Sequence, residues 1–213
     1  MIEALIFDMD GTLVDTEPYN TKIEKQQFQQ NNIDVSEEEH RKYLGIASDA
    51  MWTEIAERYK LKKTVAQLVE ENHAESMAFF SELEEIPVMP GLVEILEKVW
   101  KKNLPMAVAS SSTPEMIDYI LSKTQLKKYF KVIVSAQEVG KSKPAPDVFL
   151  RAAEKLGIEP FKCLVVEDSK NGIAAAQNAG MTCIAYQAPD SDVHSHKEAD
   201  AVIRNFSQLE MFL

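Results

Sequence analysis

The sequence predicts an α/β protein, a doubly wound parallel sheet with an α-helical cap domain inserted after the first strand. Three observations carry that expectation. Short β-rich apolar runs recur along the chain with helical patterns between most of them, and strands alternating with helices build parallel sheets. The first two runs are separated by a long stretch, from about Asp15 to Ile86, that has helical periodicity and little strand signal. With 213 residues, 45% of them hydrophobic, the chain has ample material for a buried core and room for one domain or two small ones.

Taken in order, the apolar run Ala4–Phe7 is the first strand, and Asp8-Met9-Asp10-Gly11-Thr12 carries it into a Gly-Thr turn. Charged, helix-periodic segments follow at Tyr19–Gln30, Ser36–Tyr43, Ala50–Tyr59 and Thr64–Glu84. They make the expected cap, residues 15–87, between the two pieces of the sheet domain, 1–14 and 88–213. Val14–Pro18 and Ile86–Gly91 are its hinges, the second punctuated by Pro87, Pro90 and Gly91. Met51, Trp52, Ile55, Met77, Phe79 and Phe80 are expected to pack the cap's own core.

After Pro90-Gly91, the apolar positions Leu92, Ile95, Leu96, Val99 and Trp100 have a helical spacing that no strand could use to bury one face. Met106–Ala109 is the second strand, and Pro114 sits in the first turn of the helix that continues through Ile117, Ile120 and Leu121. Val132–Ser135 is the third. Asp147, following Pro146, is expected to N-cap a helix that runs to Leu156 and stops at Gly157. Cys163–Val166, Thr182–Tyr186 and Ala201–Ile203 complete the strands, with an alanine-rich helix from Ile173 closed by Gly180.

Composition narrows the partners. A formal net charge of −11 argues against nucleic acid or anionic lipid, both of which need a basic stripe to replace counterions. A small anionic substrate remains compatible, because one bound divalent cation and one placed lysine make a local positive pocket. No apolar stretch approaches the roughly 20 residues of a membrane span, and Met1–Ala4 has no signal-peptide pattern, so a cytoplasmic location is expected. Cys163 and Cys183 lie inside apolar runs and read as buried free thiols. His194 and His196 lie in a polar stretch, and His40 and His73 in charged helices; all four are expected at the surface.

The chemistry concentrates where strands end, the edge at which open α/β sheets bind ligands. Asp8 and Asp10 project from one side of the extended chain, and two like charges that close need a cation or a shared proton. A hard metal such as Mg²⁺ suits carboxylates best. The second strand ends in Ser110-Ser111-Ser112-Thr113, whose hydroxyls and N–H groups can hold a phosphoryl group. Ser142-Lys143-Pro144-Ala145-Pro146-Asp147 puts a lysine on a proline-stiffened loop, and Glu167-Asp168-Ser169 adds a second carboxylate pair after another strand.

In order, spacing and common location, these motifs resemble the haloacid dehalogenase superfamily of phosphohydrolases. The resemblance is strongest at Asp8–Thr12, Ser142–Asp147 and Glu167-Asp168-Ser169-Lys170-Asn171-Gly172. The position of the small helical cap resembles the β-phosphoglucomutase-like branch. The resemblance implies a Rossmann-like core and a phosphatase acting on small phosphorylated metabolites, sugar phosphates in particular. It makes Asp8 the nucleophile that forms an aspartyl-phosphate and Asp10 the acid/base. Mg²⁺ would be held by Asp8, the Asp10 carbonyl and Asp168, with Glu167 as a direct or water-mediated ligand. Ser110 and the Ser111 N–H would grip the phosphoryl oxygens, and Lys143 would neutralise charge on Asp8 and the phosphoryl group.

Asp10 favours phosphate esters, since dehalogenases are not expected to carry an aspartate there and phosphonate-cleaving relatives have a small residue. Mutases resembling this chain use a cap lysine, a cap arginine and a histidine after the first hinge; Leu44, Ser48 and Asn20 stand in those places. A hydrolase is therefore expected over a sugar-phosphate mutase. A non-catalytic phosphometabolite sensor would have no need to keep Asp8, Asp10 and Lys143 together. Glu17, Asn20, Leu44 and Ser48 are the candidate cap residues for specificity, and no obligate protein partner is implied.

Overall fold

The strands are β1 (Ala4–Phe7), β2 (Met106–Ser110), β3 (Val132–Ser135), β4 (Cys163–Glu167), β5 (Thr182–Tyr186) and β6 (Ala201–Ile203). They form one sheet in the order β3-β2-β1-β4-β5-β6, every pairing parallel. This computed structural model describes residues 1–43, 46–188 and 196–213. Among those residues the helices are α1 (Glu17–Gln30), α2 (Glu37–His40), α3 (Ser48–Tyr59), α4 (Val65–Glu82), α5 (Leu92–Lys101), α6 (Pro114–Lys123), α7 (Ala136–Val139), α8 (Asp147–Leu156) and α9 (Lys170–Asn178). Among the described residues no helix is long and apolar enough to cross a membrane.

Two compact units result, Met1–Asp15 with Glu85–Leu213, and Thr16–Glu84. In the sheet unit, alternation along the strands sends successive side chains to opposite faces. Ala4 and Ile6 join Phe149 of α8 and Ile173 of α9 in one buried cluster, while Phe7 meets Phe130 edge-on with ring centroids 6.0 Å apart. Both faces are therefore covered, which is why the strands read as unbroken apolar runs.

The helical unit has a core of Phe28, Tyr43, Met51, Trp52, Ile55 and Leu68. Met51, Trp52, Ile55 and Phe80 are buried as expected, whereas Met77 and Phe79 are half-exposed. A polar chain crosses this unit: Ser48 Oγ donates to Asn72 Oδ1 (3.3 Å), Asn72 Nδ2 to Gln27 Oε1 (3.1 Å), and Gln27 Nε2 to the Leu68 carbonyl (2.7 Å). Thr64 caps α4 through a reciprocal bond with Gln67.

Three local expectations need correction. Asp147 is the first residue of α8 rather than its N-cap; Pro146 holds that position without a side-chain cap, and Asp147 faces Lys141 at 3.4 Å. The alanine-rich helix starts at Lys170, because Ser169 accepts the Gly172 N–H and begins the helix three residues before the first apolar position. His40 is buried rather than exposed, with Nε2 at 2.5 Å from Glu24 Oε2 and its ring edge-on to Phe28. His73 is half-buried, and His194 lies outside the described residues. Cys163 and Cys183 are buried free thiols, and burial pushes the Cys163 thiol up to about 11.

Candidate active site

Register assembles the site. Pairing Phe7 with Val108 on one side and Val166 on the other leaves Asp8, Ala109 and Glu167 level at the carboxyl edge. This is the point where strand order reverses, at which open α/β sheets place their ligands. Asp8 N–H donates to the Val166 carbonyl (3.0 Å), carrying the ladder one residue past β1. The chain then folds back: the Leu13 and Val14 N–H groups donate to Met9 O (2.8 and 3.1 Å). Gly11 takes φ +79°, and the Asp168 carboxylate lies so close that any Cβ there would overlap it. The backbone conformation favours glycine, and a Cβ there would displace the Asp168 carboxylate.

Lys143 is buried and its ammonium uses three partners, donating to Asp8 Oδ1 (2.5 Å), Glu167 Oε1 (2.8 Å) and the Ala109 carbonyl (3.1 Å). It also lies 4.8 Å from the centre of the Phe149 ring. Burial alone would lower its pKa, but the Asp8 and Glu167 carboxylates outweigh that and hold the ammonium protonated beyond the ordinary lysine range. Asp8 moves up as well. Burial is the largest cause, Glu167 and Asp10 add to it, and Lys143 only partly opposes them. Two carboxylates sharing one ammonium in a buried site leave a net negative charge that has lost its water.

Glu167 is 1% exposed, and donors surround it. Oε1 takes Lys143, while Oε2 accepts from Asp168 N (2.8 Å), Ser169 N (2.7 Å) and Ser169 Oγ (3.0 Å). Gly172 makes room for this carboxylate, since a Cβ at that position would land within bonding distance of it. Gly172→Ala should therefore drive Glu167 off Lys143, with an overpacking cost of about 1–3 kcal/mol and a lower kcat. Shortening the acid in Gly172→Ala/Glu167→Asp should recover part of both, read by denaturant unfolding and turnover. Wild-type stability and turnover in Gly172→Ala would show that the carboxylate position does not matter.

Asp168 is half-buried; Thr12 Oγ1 donates to its Oδ1 (3.2 Å). Its carbonyl lies 2.6 Å from His196 Nε2, which must carry the proton there because a carbonyl only accepts. His196 is 1% exposed, so its expected place at the surface is also corrected: it is packed behind the acidic loop. Ser110 is fully buried and its Oγ accepts the Ser112 N–H (3.0 Å), while Ser111 is exposed. Ser112 Oγ donates to Asp10 Oδ2 (2.8 Å).

Of the residues singled out in the sequence, Asp8, Lys143 and Glu167 are in direct contact. Asp10 is reached through Ser112, and Asp168 lies against Gly11. In the helical unit, Glu17 opens α1, Asn20 lies on the same helix, and Ser48 opens α3; Leu44 lies outside the described residues. Sequence reasoning passed over Ser112, Thr12, Gly172 and His196. The first three stood inside or beside the motifs already quoted; nothing near His196 in the chain marks it.

Comparison with known proteins gives this geometry its context. The chain matches the haloacid dehalogenase-like hydrolase family over residues 5–186. It is 34% identical over 180 residues to a phosphorylated carbohydrates phosphatase of Thermotoga maritima, an alignment spanning 84% of this chain and 82% of that protein. Hexitol phosphatase B of Escherichia coli is 32% identical over 203 residues, 89% of this chain and 86% of the relative. Among solved structures, a β-phosphoglucomutase from Clostridium difficile matches with a TM-score of 0.85 at 25% identity, covering 98% of this chain and 93% of that one. With a family match across most of its length and relatives of this identity and coverage, the chain belongs to the haloacid dehalogenase-like hydrolases.

Proposed function

We propose that this protein is a Mg²⁺-dependent phosphatase that hydrolyses small phosphorylated metabolites, sugar phosphates in particular, through an aspartyl-phosphate on Asp8. The observation that carries the reading is the buried Asp8–Lys143–Glu167 contact at the sheet's switch point. It presents one oriented carboxylate, backed by a cation, where a ligand is expected to bind. Asp8 attacks phosphorus and so divides one hard hydrolysis into two easier steps. Asp10 protonates the departing alkoxide and then accepts a proton from the water that cleaves the intermediate. Lys143 and Ser110, with the Ser111 N–H, neutralise and orient the phosphoryl oxygens, the positioning on which phosphoryl transfer depends.

The residues present suit a hard divalent cation. Asp8 and Asp168 would hold it with the Asp10 carbonyl, an all-oxygen set. Asp168 is already turned toward the Asp10–Thr12 turn, as its contact with Gly11 and its bond from Thr12 indicate. Among the described residues no group of three or more His, Cys, Asp or Glu side chains makes a ready metal site, and this set calls on only two such side chains. Glu167, with both oxygens engaged, serves Lys143 and reaches the metal at most through water. The chemistry a bound Mg²⁺ supplies is relief of repulsion between the attacking carboxylate and the phosphoryl oxygens.

The helical unit, Thr16–Glu84, is read as the cap that selects the leaving group, with Val14–Pro18 and Ile86–Gly91 as its hinges and Glu17, Asn20, Leu44 and Ser48 as its discriminating positions. The names of the relatives support a sugar or sugar-alcohol phosphate. The structural likeness to a β-phosphoglucomutase favours a second reading, phosphoryl transfer between two positions of one sugar.

One assay separates the two. Hexose 6-phosphates, hexitol phosphates and β-glucose 1-phosphate are incubated with enzyme and Mg²⁺, and inorganic phosphate and sugar products are quantified. Stoichiometric phosphate release is expected, abolished by chelation, with Mg²⁺ affinity weakened in Asp168→Ala. Conversion of β-glucose 1-phosphate to glucose 6-phosphate without phosphate release would establish the mutase instead. Full turnover after exhaustive chelation would remove the metal from the reading.

A further inference from the structure

We infer that Ser112 is a positioning residue that sets the orientation of the Asp10 carboxylate, an inference that rests on the reading of Asp10 as acid/base. Each polar group of Ser112 has a partner, and the three partners come from different parts of the site. Its hydroxyl donates to Asp10 Oδ2 at 2.8 Å. Its N–H donates to Ser110 Oγ at 3.0 Å. Its carbonyl accepts from Ser135 Oγ at 2.6 Å, at the end of β3. The backbone of Ser112 is thus anchored to the ends of β2 and β3, and its side chain reaches across to the turn that follows β1.

Helix capping does not explain this hydroxyl. α6 begins after Ser112, and its cap is Thr113, whose Oγ1 accepts the Met116 N–H at 3.2 Å. A serine hydroxyl has one proton to donate, and here that proton goes to a carboxylate. Asp10 follows β1 in the tight turn through Gly11, where rotation about its Cα–Cβ and Cβ–Cγ bonds can send the carboxylate several ways. A charge-assisted O–H···O⁻ bond from a residue held at both main-chain groups fixes one of those orientations. The same N–H bond ties the acid/base to Ser110, so the groups serving the phosphoryl oxygens and the leaving group are placed by one segment, residues 110–112. Proton transfer to a leaving oxygen is sensitive to displacements of about 1 Å, which makes this hydroxyl matter for rate more than for binding.

The test uses the full chain with Mg²⁺, in single turnover with enzyme in excess, on two substrates. Glucose 6-phosphate has a poor alkoxide leaving group that needs a proton; p-nitrophenyl phosphate leaves as a stable anion and does not. Ser112→Ala should slow cleavage of glucose 6-phosphate roughly 10- to 100-fold with little change in half-saturation, part of the typical general-acid contribution. The rate of p-nitrophenolate release should stay within about threefold of wild type, and Ser112→Thr, which keeps the hydroxyl, should restore the glucose 6-phosphate rate. Asp10→Asn is run in parallel. If Asp10→Asn is inactive on glucose 6-phosphate while Ser112→Ala matches wild type, the inference about Ser112 is wrong and the acid/base reading stands. If Asp10→Asn cleaves glucose 6-phosphate at the wild-type rate, the acid/base reading fails and takes the inference with it. Equal slowing of both substrates in Ser112→Ala, without rescue by threonine, would assign the serine a purely structural role.

Discussion

Asp8→Asn should lose turnover by about 10³-fold or more while gaining stability at neutral pH. The amide is nearly isosteric and can still accept from Lys143, but it is a poor nucleophile and a poor ligand for a hard cation. The gain in stability follows from the raised pKa of Asp8. A carboxyl whose folded pKa lies above its unfolded value contributes stability below the unfolded pKa and loses that contribution as pH rises through the folded pKa. Above its folded pKa the wild type carries the cost of a dehydrated Asp8 carboxylate crowded by Glu167 and Asp10, and the asparagine removes it. Each 1 kcal/mol recovered should appear as a rise of roughly 2–4 °C in Tm for a chain of this size, shrinking toward zero at about pH 4. Thermal unfolding at pH 8 and at about pH 4, beside steady-state kinetics, reads both halves. Wild-type turnover would dismiss covalent catalysis at Asp8, and a lower Tm at pH 8 would contradict the electrostatic account of the site.

Lys143→Met should move stability the other way. Removing the ammonium leaves Asp8 and Glu167 buried without the cation that bridges them at 2.5 and 2.8 Å. Breaking a buried ion pair from one side costs about 3–5 kcal/mol, because the partner charge stays behind. Turnover should fall by about 10²–10³-fold, since on the proposed mechanism this is the charge that steadies both nucleophile and phosphoryl group. Adding Glu167→Gln to Lys143→Met removes one of the stranded charges, so it should restore much of the stability and none of the turnover. Denaturant midpoints of the single and double variants, with kcat for each, decide this. A Lys143→Met protein as stable as wild type would mean that the carboxylates find another counter-charge.

Much of this protein was determined by local sequence. Ala4–Phe7, Met106–Ala109 and Cys163–Val166 are apolar without interruption because both faces of the sheet are covered, and the carboxylates and hydroxyls that end those runs had to emerge at the sheet's edge. The order and spacing of Asp8, Asp10, Lys143, Glu167 and Asp168 were likewise enough to suggest the chemistry and the family. What only tertiary structure decided is how groups far apart in the chain share protons and charge. Lys143 stands 135 residues from Asp8 and 24 from Glu167, and its bond to both depends on parallel register and on a cleared space beside Gly172. Ser112 meets Asp10 across 102 residues, and His196 meets the Asp168 carbonyl across 28. The polar surroundings of His196 and the charged neighbours of His40 suggested exposure, yet both rings are buried against groups supplied by other elements. Periodicity reports which face of an element avoids water; it carries no information on which polar atom from another element will arrive opposite a given side chain, and that meeting is set by packing.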